Sequence, residues 1–115
     1  MNAQERPIEL IVNVEGQRNS NLQYFLTRRG IYYAARLVTS QKGTVFKNDD
    51  YNAIKKVYSI WICTHPPEKA RGTSQRFVIS KEDFIGEYDV DPIQYDLMTV
   101  VLIWVGDSTD PNYNN

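Results

Sequence analysis

Hydrophobic and polar residues alternate near the amino end of the chain, from Ile8 to Val14. Because successive side chains of a β-strand point to opposite faces, this alternation predicts a half-buried strand. One face would carry Ile8, Leu10, Val12 and Val14, and the other Glu9, Ile11, Asn13 and Glu15.

Apolar residues between Leu22 and Gln41 fall at helical spacing, which predicts a helix over this region. The preceding segment GQRNSN has the composition of a turn and offers Ser20 or Asn21 as the helix N-cap. Gly30 interrupts the helix and costs about 1 kcal/mol relative to Ala unless close packing requires it. The predicted face comprises Leu22, Phe25, Leu26, Ile31, Ala34, Ala35 and Val38.

Three later segments favour strands. KVYSIWIC is rich in β-branched and aromatic residues, QRFVIS is a shorter strand, and LMTVVLIWV is apolar at nearly every position. The last pattern predicts a strand covered on both faces. One short helical turn is expected from Asp49 to Ile54, in the connector before the second strand. This order of elements predicts an α/β or α+β domain with a mixed sheet.

Length and composition place the chain in the range of a single compact domain, since it has 115 residues, 42% hydrophobic and 23% charged. We assign 1–106 to this domain and expect 107–115 to be a disordered tail. The net charge of −1 gives no overall attraction to nucleic acid, so phosphates would have to be bound by a local cluster.

The single cysteine, Cys63, is typical of a buried free thiol in a reducing compartment. No apolar run reaches the ~18 residues of a membrane span, and the first ten residues lack the order of a secretory signal. We therefore expect a cytoplasmic protein with no membrane partner.

The end of the first strand carries the residues with the most suggestive chemistry. Glu15 and Gln17 project from one face, and Gly16 between them leaves its carbonyl open to close approach. Carboxylate and carbonyl oxygens suit a hard cation such as Mg²⁺. The alternative is that this triplet is only the polar end of a strand entering a turn, which is the commoner case.

Four collinear segments resemble the PD-(D/E)XK nuclease family transposases: LIVNVEGQRN, RRGIYYAARLVTSQKGTVF, YNAIKKVYSIWIC followed closely by PP, and YDLMTVVLIWVG. The resemblance runs from Ile8 to Gly106. It implies a restriction-endonuclease-like mixed β-sheet flanked by helices, N-terminally truncated in this chain. It also implies DNA as the partner and Mg²⁺ or Mn²⁺ as the cofactor, with no small-molecule cofactor.

The same resemblance assigns roles to individual residues. Glu15 would be the acidic metal ligand, the Gly16 carbonyl would bind the same ion, and Gln17 stands where many members of the wider superfamily have a catalytic lysine. The family's first acidic ligand, an aspartate on a preceding strand, has no counterpart here. Glu9 shares the face of Glu15 but lies about 20 Å along the strand, too far to share one ion. The residues implied to face DNA are Arg28, Arg29, Tyr32 and Arg36.

Two functions therefore stay open: a metal-dependent DNA endonuclease domain with an incomplete centre, and a non-catalytic binding or assembly module. The second would form a homodimer through the exposed edge of the first strand. The three arginines either bind phosphates or form a solvated helix flank. We expect Tyr33, Trp61 and Trp104 to be core residues, and His65 and the acidic stretch EYDVDPIQYD to lie in loops.

Overall fold

The computed structural model describes residues 8–16 and 24–106. Within these ranges the chain is an α/β structure with one α-helix and a four-stranded open mixed sheet. Gln17, the expected N-caps Ser20 and Asn21, and the expected tail 107–115 lie outside the described residues. The elements are β1 (Ile8–Glu15), α1 (Leu26–Thr39), β2 (Lys56–Cys63), β3 (Ser74–Val78) and β4 (Met98–Trp104), with 3₁₀ turns at Tyr51–Ala53 and Pro92–Gln94.

The sheet has the strand order β1-β2-β4-β3. β1, β2 and β4 run parallel, and β3 is antiparallel to β4, so the expected mixed sheet is confirmed. α1 connects β1 to the neighbouring parallel strand β2, as parallel pairs require a crossover. The carboxyl ends of the three parallel strands consequently meet at one edge, where Glu15 is level with Cys63 and Cys63 with Trp104.

α1 packs against β2 and β4 and forms the core with the strand residues beneath it. Gly30 makes this approach possible because a Cβ built there would lie 2.7 Å from Cγ1 of Val100 and 3.3 Å from the Trp61 indole. Trp61 is buried, as expected, whereas Trp104 is only partly buried beside the core. The buried cluster comprises Leu26, Ala34, Val57, Trp61, Cys63, Val100 and Leu102.

The helix differs from its prediction in where it begins and in which face it buries. α1 begins at Leu26, and its N-cap is Phe25, which makes no side-chain capping bond. The expected burial of Phe25 and Ile31 is wrong, since they are 72% and 42% exposed. The residues of α1 that are buried against the sheet are spaced four apart, at Leu26, Gly30 and Ala34, and Phe25 and Ile31 lie to the sides of this row.

The apolar row of β1 lies on the face of the sheet away from α1. Its four residues are 51–67% exposed, while Glu9, Ile11, Asn13 and Glu15 are half-buried on the face toward the helix. The prediction that β4 is covered on both faces is confirmed in part, since no residue of β4 is exposed and Thr99 on this outer face is 1% exposed, while Val101 and Ile103 there are half-buried. The alternation in the sequence correctly separated the two faces of β1, but it did not indicate which face α1 covers. The exposed row is Ile8, Leu10, Val12 and Val14.

Within 8–16 and 24–106, no helix has both the length and the apolar character needed to cross a membrane.

Candidate functional site

Glu15 ends β1 at the edge of the sheet where the parallel strands terminate. Its backbone carbonyl accepts hydrogen bonds from the Thr64 amide at 3.1 Å and from the Thr64 hydroxyl at 3.2 Å. These bonds join the end of β1 to the residue that follows β2. The extended backbone expected around Glu15 is therefore confirmed, and its position relative to β2 is fixed by main-chain bonding.

The Glu15 side chain forms an ion pair with Arg29 in the first turns of α1, with Oε2 at 3.1 Å from the guanidinium nitrogen. The Glu15 side chain is 13% exposed and that of Arg29 is 36% exposed. The structure thus brings together a residue expected to bind metal and one expected to bind DNA. A divalent ion approaching Glu15 must share this carboxylate with Arg29 or displace its guanidinium.

Three aromatic rings surround the Arg29 guanidinium. It lies 5.0 Å from the ring centroid of Trp61 and 5.8 Å from those of Tyr24 and Tyr33, and it donates a 2.7 Å hydrogen bond to the Tyr24 hydroxyl. Burial lowers the pKa of Arg29, but the two tyrosines outweigh this and raise it above its ordinary value. Arg29 therefore stays positively charged, with the rings and Glu15 fixing its orientation.

The remaining members of the proposed metal triplet are less defined. Gly16 is exposed, and a Cβ added there would meet only the Thr64 hydroxyl, at 3.9 Å, so local packing does not require glycine. Gln17 lies outside the described residues. In the part of the chain that the structure describes, no group of three His, Cys, Asp or Glu side chains could hold a metal ion.

A shallow open cavity of about 360 Å³ lies beside the ion pair, on the surface of α1. Tyr33 is partly buried against the core, as expected, and Tyr32 is 57% exposed. Tyr24 was not singled out by the sequence, because an aromatic residue just before a helix has no pattern that separates a site residue from a core residue. The lining comprises Tyr24, Arg28, Arg29, Tyr32 and Tyr33.

Cys63 ends β2 beside Glu15, and His65 lies two residues further along the chain. Cys63 is a buried free thiol, as expected, and burial together with the charge of Glu15 raises its pKa despite an opposing hydrogen bond from the His65 backbone. It consequently stays protonated at neutral pH and is a poor nucleophile. His65 is exposed in the loop after β2, with Nδ1 at 3.1 Å from the Thr64 hydroxyl.

Comparison of the chain with protein-family models, curated proteins and solved structures found no match. A function for this chain therefore has to be inferred from the chemistry of the site and from the sequence resemblance. A carboxylate at a strand end can bind a divalent cation, and adjacent arginines can bind phosphate oxygens. The combination suits a phosphate-containing ligand that arrives together with a cation.

Proposed function

We propose that this chain is a metal-dependent DNA endonuclease domain of the PD-(D/E)XK transposase type, with Glu15 as a metal ligand. The observation that supports this most directly is the Glu15–Arg29 pair, which places an acid and a phosphate-binding group 3.1 Å apart at the carboxyl end of a parallel strand. In open α/β sheets, ligands bind outside this end of the strands. The sequence resemblance supplies the reaction class.

The donors available at this strand end suit Mg²⁺ or Mn²⁺ in kind, since the Glu15 carboxylate and the Gly16 carbonyl are hard oxygen ligands. Mg²⁺ is commonly held by one or two carboxylates together with waters and substrate phosphates. The described residues supply only that minimum, because they contain no group of three acidic or other metal-binding side chains. When bound, such an ion activates water and neutralises charge on the reacting phosphate.

Arg29 has two partners in this scheme. Its guanidinium pairs with Glu15 at 3.1 Å, and it would donate hydrogen bonds to a phosphate if a cation were held by Glu15. Gln17 is an amide, so it can orient water but cannot supply the positive charge of a lysine. Arg29 supplies that charge from α1 instead, held in place by Tyr24.

Cleavage of supercoiled plasmid tests this proposal. Wild-type protein should nick the plasmid with Mg²⁺ or Mn²⁺ and not with a chelator, and Glu15→Gln should lower the rate at least about 100-fold because a metal ligand is lost. Glu9→Gln is the matched control, since Glu9 is a half-buried acid on the same face of β1. Undiminished cleavage by Glu15→Gln, or no cleavage by wild type with either ion, would contradict the proposal.

A second candidate, an assembly module that forms a homodimer, is favoured by the exposed apolar row of β1. Parallel strands are normally covered on both faces, and in the described part of the chain β1 pairs only with β2, so one of its edges and one of its faces are open. We propose a second copy of this chain as the occupant of that face. Dimer formation is compatible with either function.

A further inference from the structure

Three exposed aromatic rings on and before α1 each lie against an arginine. The guanidinium of Arg28 is 5.6 Å from the Phe25 ring centroid, and that of Arg36 is 6.0 Å from the Tyr32 ring centroid. The third pair is Arg29 with Tyr24, at 5.8 Å. The rings of Phe25, Tyr32 and Tyr24 are 72%, 57% and 46% exposed.

These pairs follow one side of the helix. Phe25 and Tyr32 are seven residues apart, as are Arg29 and Arg36, and this spacing returns to nearly the same side after two turns. α1 itself contains three arginines and no acidic residue. The surface is consequently locally basic through Arg28 and Arg36, with Arg29 paired to Glu15, on a chain whose net charge is −1. We call these six residues the arginine–aromatic stripe.

We propose that the arginine–aromatic stripe binds unpaired nucleotides, with bases stacked on the exposed rings and phosphates held by the arginines. Proteins that bind single strands combine a positive surface with aromatic platforms, because every base has a π-face. Phe25 and Tyr32 are separated by about 10 Å along the helix axis, a distance that about three stacked nucleotides cover. Bases inside a duplex do not expose these faces, so the stripe should prefer single strands.

This inference rests on the proposed function only in taking nucleic acid as the partner, and it does not require cleavage at Glu15. A purely solvated flank would explain exposed arginines, since exposure is ordinary for that residue. It would not explain why each arginine lies against a large exposed ring. Phe84 provides the contrast, because it is 85% exposed and no cation–π contact involves it within the described ranges.

Fluorescence anisotropy with labelled oligonucleotides, in buffer containing a chelator, tests binding without cleavage. The ligands are oligothymidylate, a duplex of equal length, and an abasic strand of equal charge. Wild-type protein should bind oligothymidylate more tightly than either of the other two. Tyr32→Ala should weaken that binding about 5- to 150-fold, the value of one stacked base, and Tyr32→Phe should restore it.

Two controls separate stacking from charge. Phe84→Ala removes an exposed ring outside the stripe and should leave affinity unchanged. Arg36→Gln should lower the slope of log affinity against log salt by about 0.7, the effect of one phosphate contact with a single strand, whereas Tyr32→Ala should leave the slope unchanged. Tyr32 is largely exposed, so its variants should melt within a few degrees of wild type.

Equal affinity for the abasic strand and oligothymidylate would overturn the proposal, as would tighter binding to duplex or no effect of Tyr32→Ala. If cleavage depends on Glu15 but single strands and duplex bind equally well, the single-strand proposal is contradicted and the nuclease proposal stands. If single strands bind preferentially but no cleavage occurs, the nuclease proposal is contradicted and the single-strand proposal stands.

Discussion

The carboxylate of Glu15 and the guanidinium of Arg29 lie 3.1 Å apart, although the two residues are separated by fourteen positions in the chain. Such a half-exposed pair contributes little to stability, on the order of 1 kcal/mol or less. Its greater consequence is electrical, because the two opposite charges nearly cancel at this strand end. In the proposed nuclease, Arg29 would supply the positive charge that Gln17 lacks.

Gly30 shows the opposite case, a residue whose importance is purely steric. Gly30→Ala should destabilise the protein by roughly 1–3 kcal/mol, because the new Cβ would lie 2.7 Å from Cγ1 of Val100, and this outweighs the gain in helix propensity of about 1 kcal/mol. Urea denaturation measures the change in free energy of unfolding.

Gly16→Ala is the control for this prediction, since its Cβ would meet only Thr64 at 3.9 Å and should change stability by no more than about 0.5 kcal/mol. In a Val100→Ala background the cost of Gly30→Ala should fall, because the Cγ1 atom that it meets is gone. Stabilisation by Gly30→Ala in the wild-type background would show that α1 does not pack as closely as described.

The strands were the most predictable elements. β2 coincides with the predicted KVYSIWIC segment, because β-branched and aromatic residues followed closely by Pro66 and Pro67 leave few alternatives. The alternation in β1 predicted the strand but not its buried face. A period of two separates the two faces of a strand and does not indicate which of them the helix covers. The Glu15–Arg29 contact was unpredictable for the same reason, because it depends on how α1 crosses the sheet.

The end of α1 is joined to β2 by a buried glutamine that sequence patterns did not reveal. Gln41 is 2% exposed, and its amide donates to the carbonyls of Leu37 and Lys55 at 3.2 and 3.1 Å. Its oxygen accepts a 2.8 Å hydrogen bond from the Lys55 amide. The glutamine therefore fixes where the chain enters β2 after the helix, and with it the position of α1 on the sheet.

Gln41→Leu should lower the free energy of unfolding by roughly 1–3 kcal/mol, because the Lys55 amide and carbonyl lose their partners in a partly buried setting. Ser40→Ala is the neighbouring control. Ser40 is exposed and donates one bond to Leu37, so its loss should cost less than about 0.5 kcal/mol. A Gln41→Leu protein as stable as wild type would contradict this role for the side chain.

At the scale of the whole molecule, α1 covers one face of the sheet, and among the described residues no α-helix covers the other. The four apolar residues of β1 expose on the order of 400 Å², which is already as large as the greatest apolar patch of a typical monomer. Half-buried apolar residues of β2 and β4, such as Ile60 and Val101, continue this surface, and each partner in a standard interface buries roughly 800 Å². A face of this size favours the proposed dimer.

Light scattering over a range of concentrations tests that assembly. Wild type should reach twice the chain mass of 13.4 kDa, and Leu10→Lys should stay monomeric because it places a charge in the apolar face. Ile31→Lys is the matched control, since Ile31 is also an exposed apolar residue but lies on α1. A monomeric wild type at every concentration would contradict the dimer and leave the nuclease proposal intact.

The role of Glu15 as a metal ligand is best tested by comparing the rates of Mg²⁺-dependent plasmid nicking by Glu15→Gln and Glu9→Gln, because the two variants remove equivalent charges from one face of β1. We predict a rate for Glu15→Gln at least about 100-fold below that of Glu9→Gln, with both proteins folded by thermal denaturation. Equal rates for the two variants would contradict the assignment of Glu15 as the metal ligand.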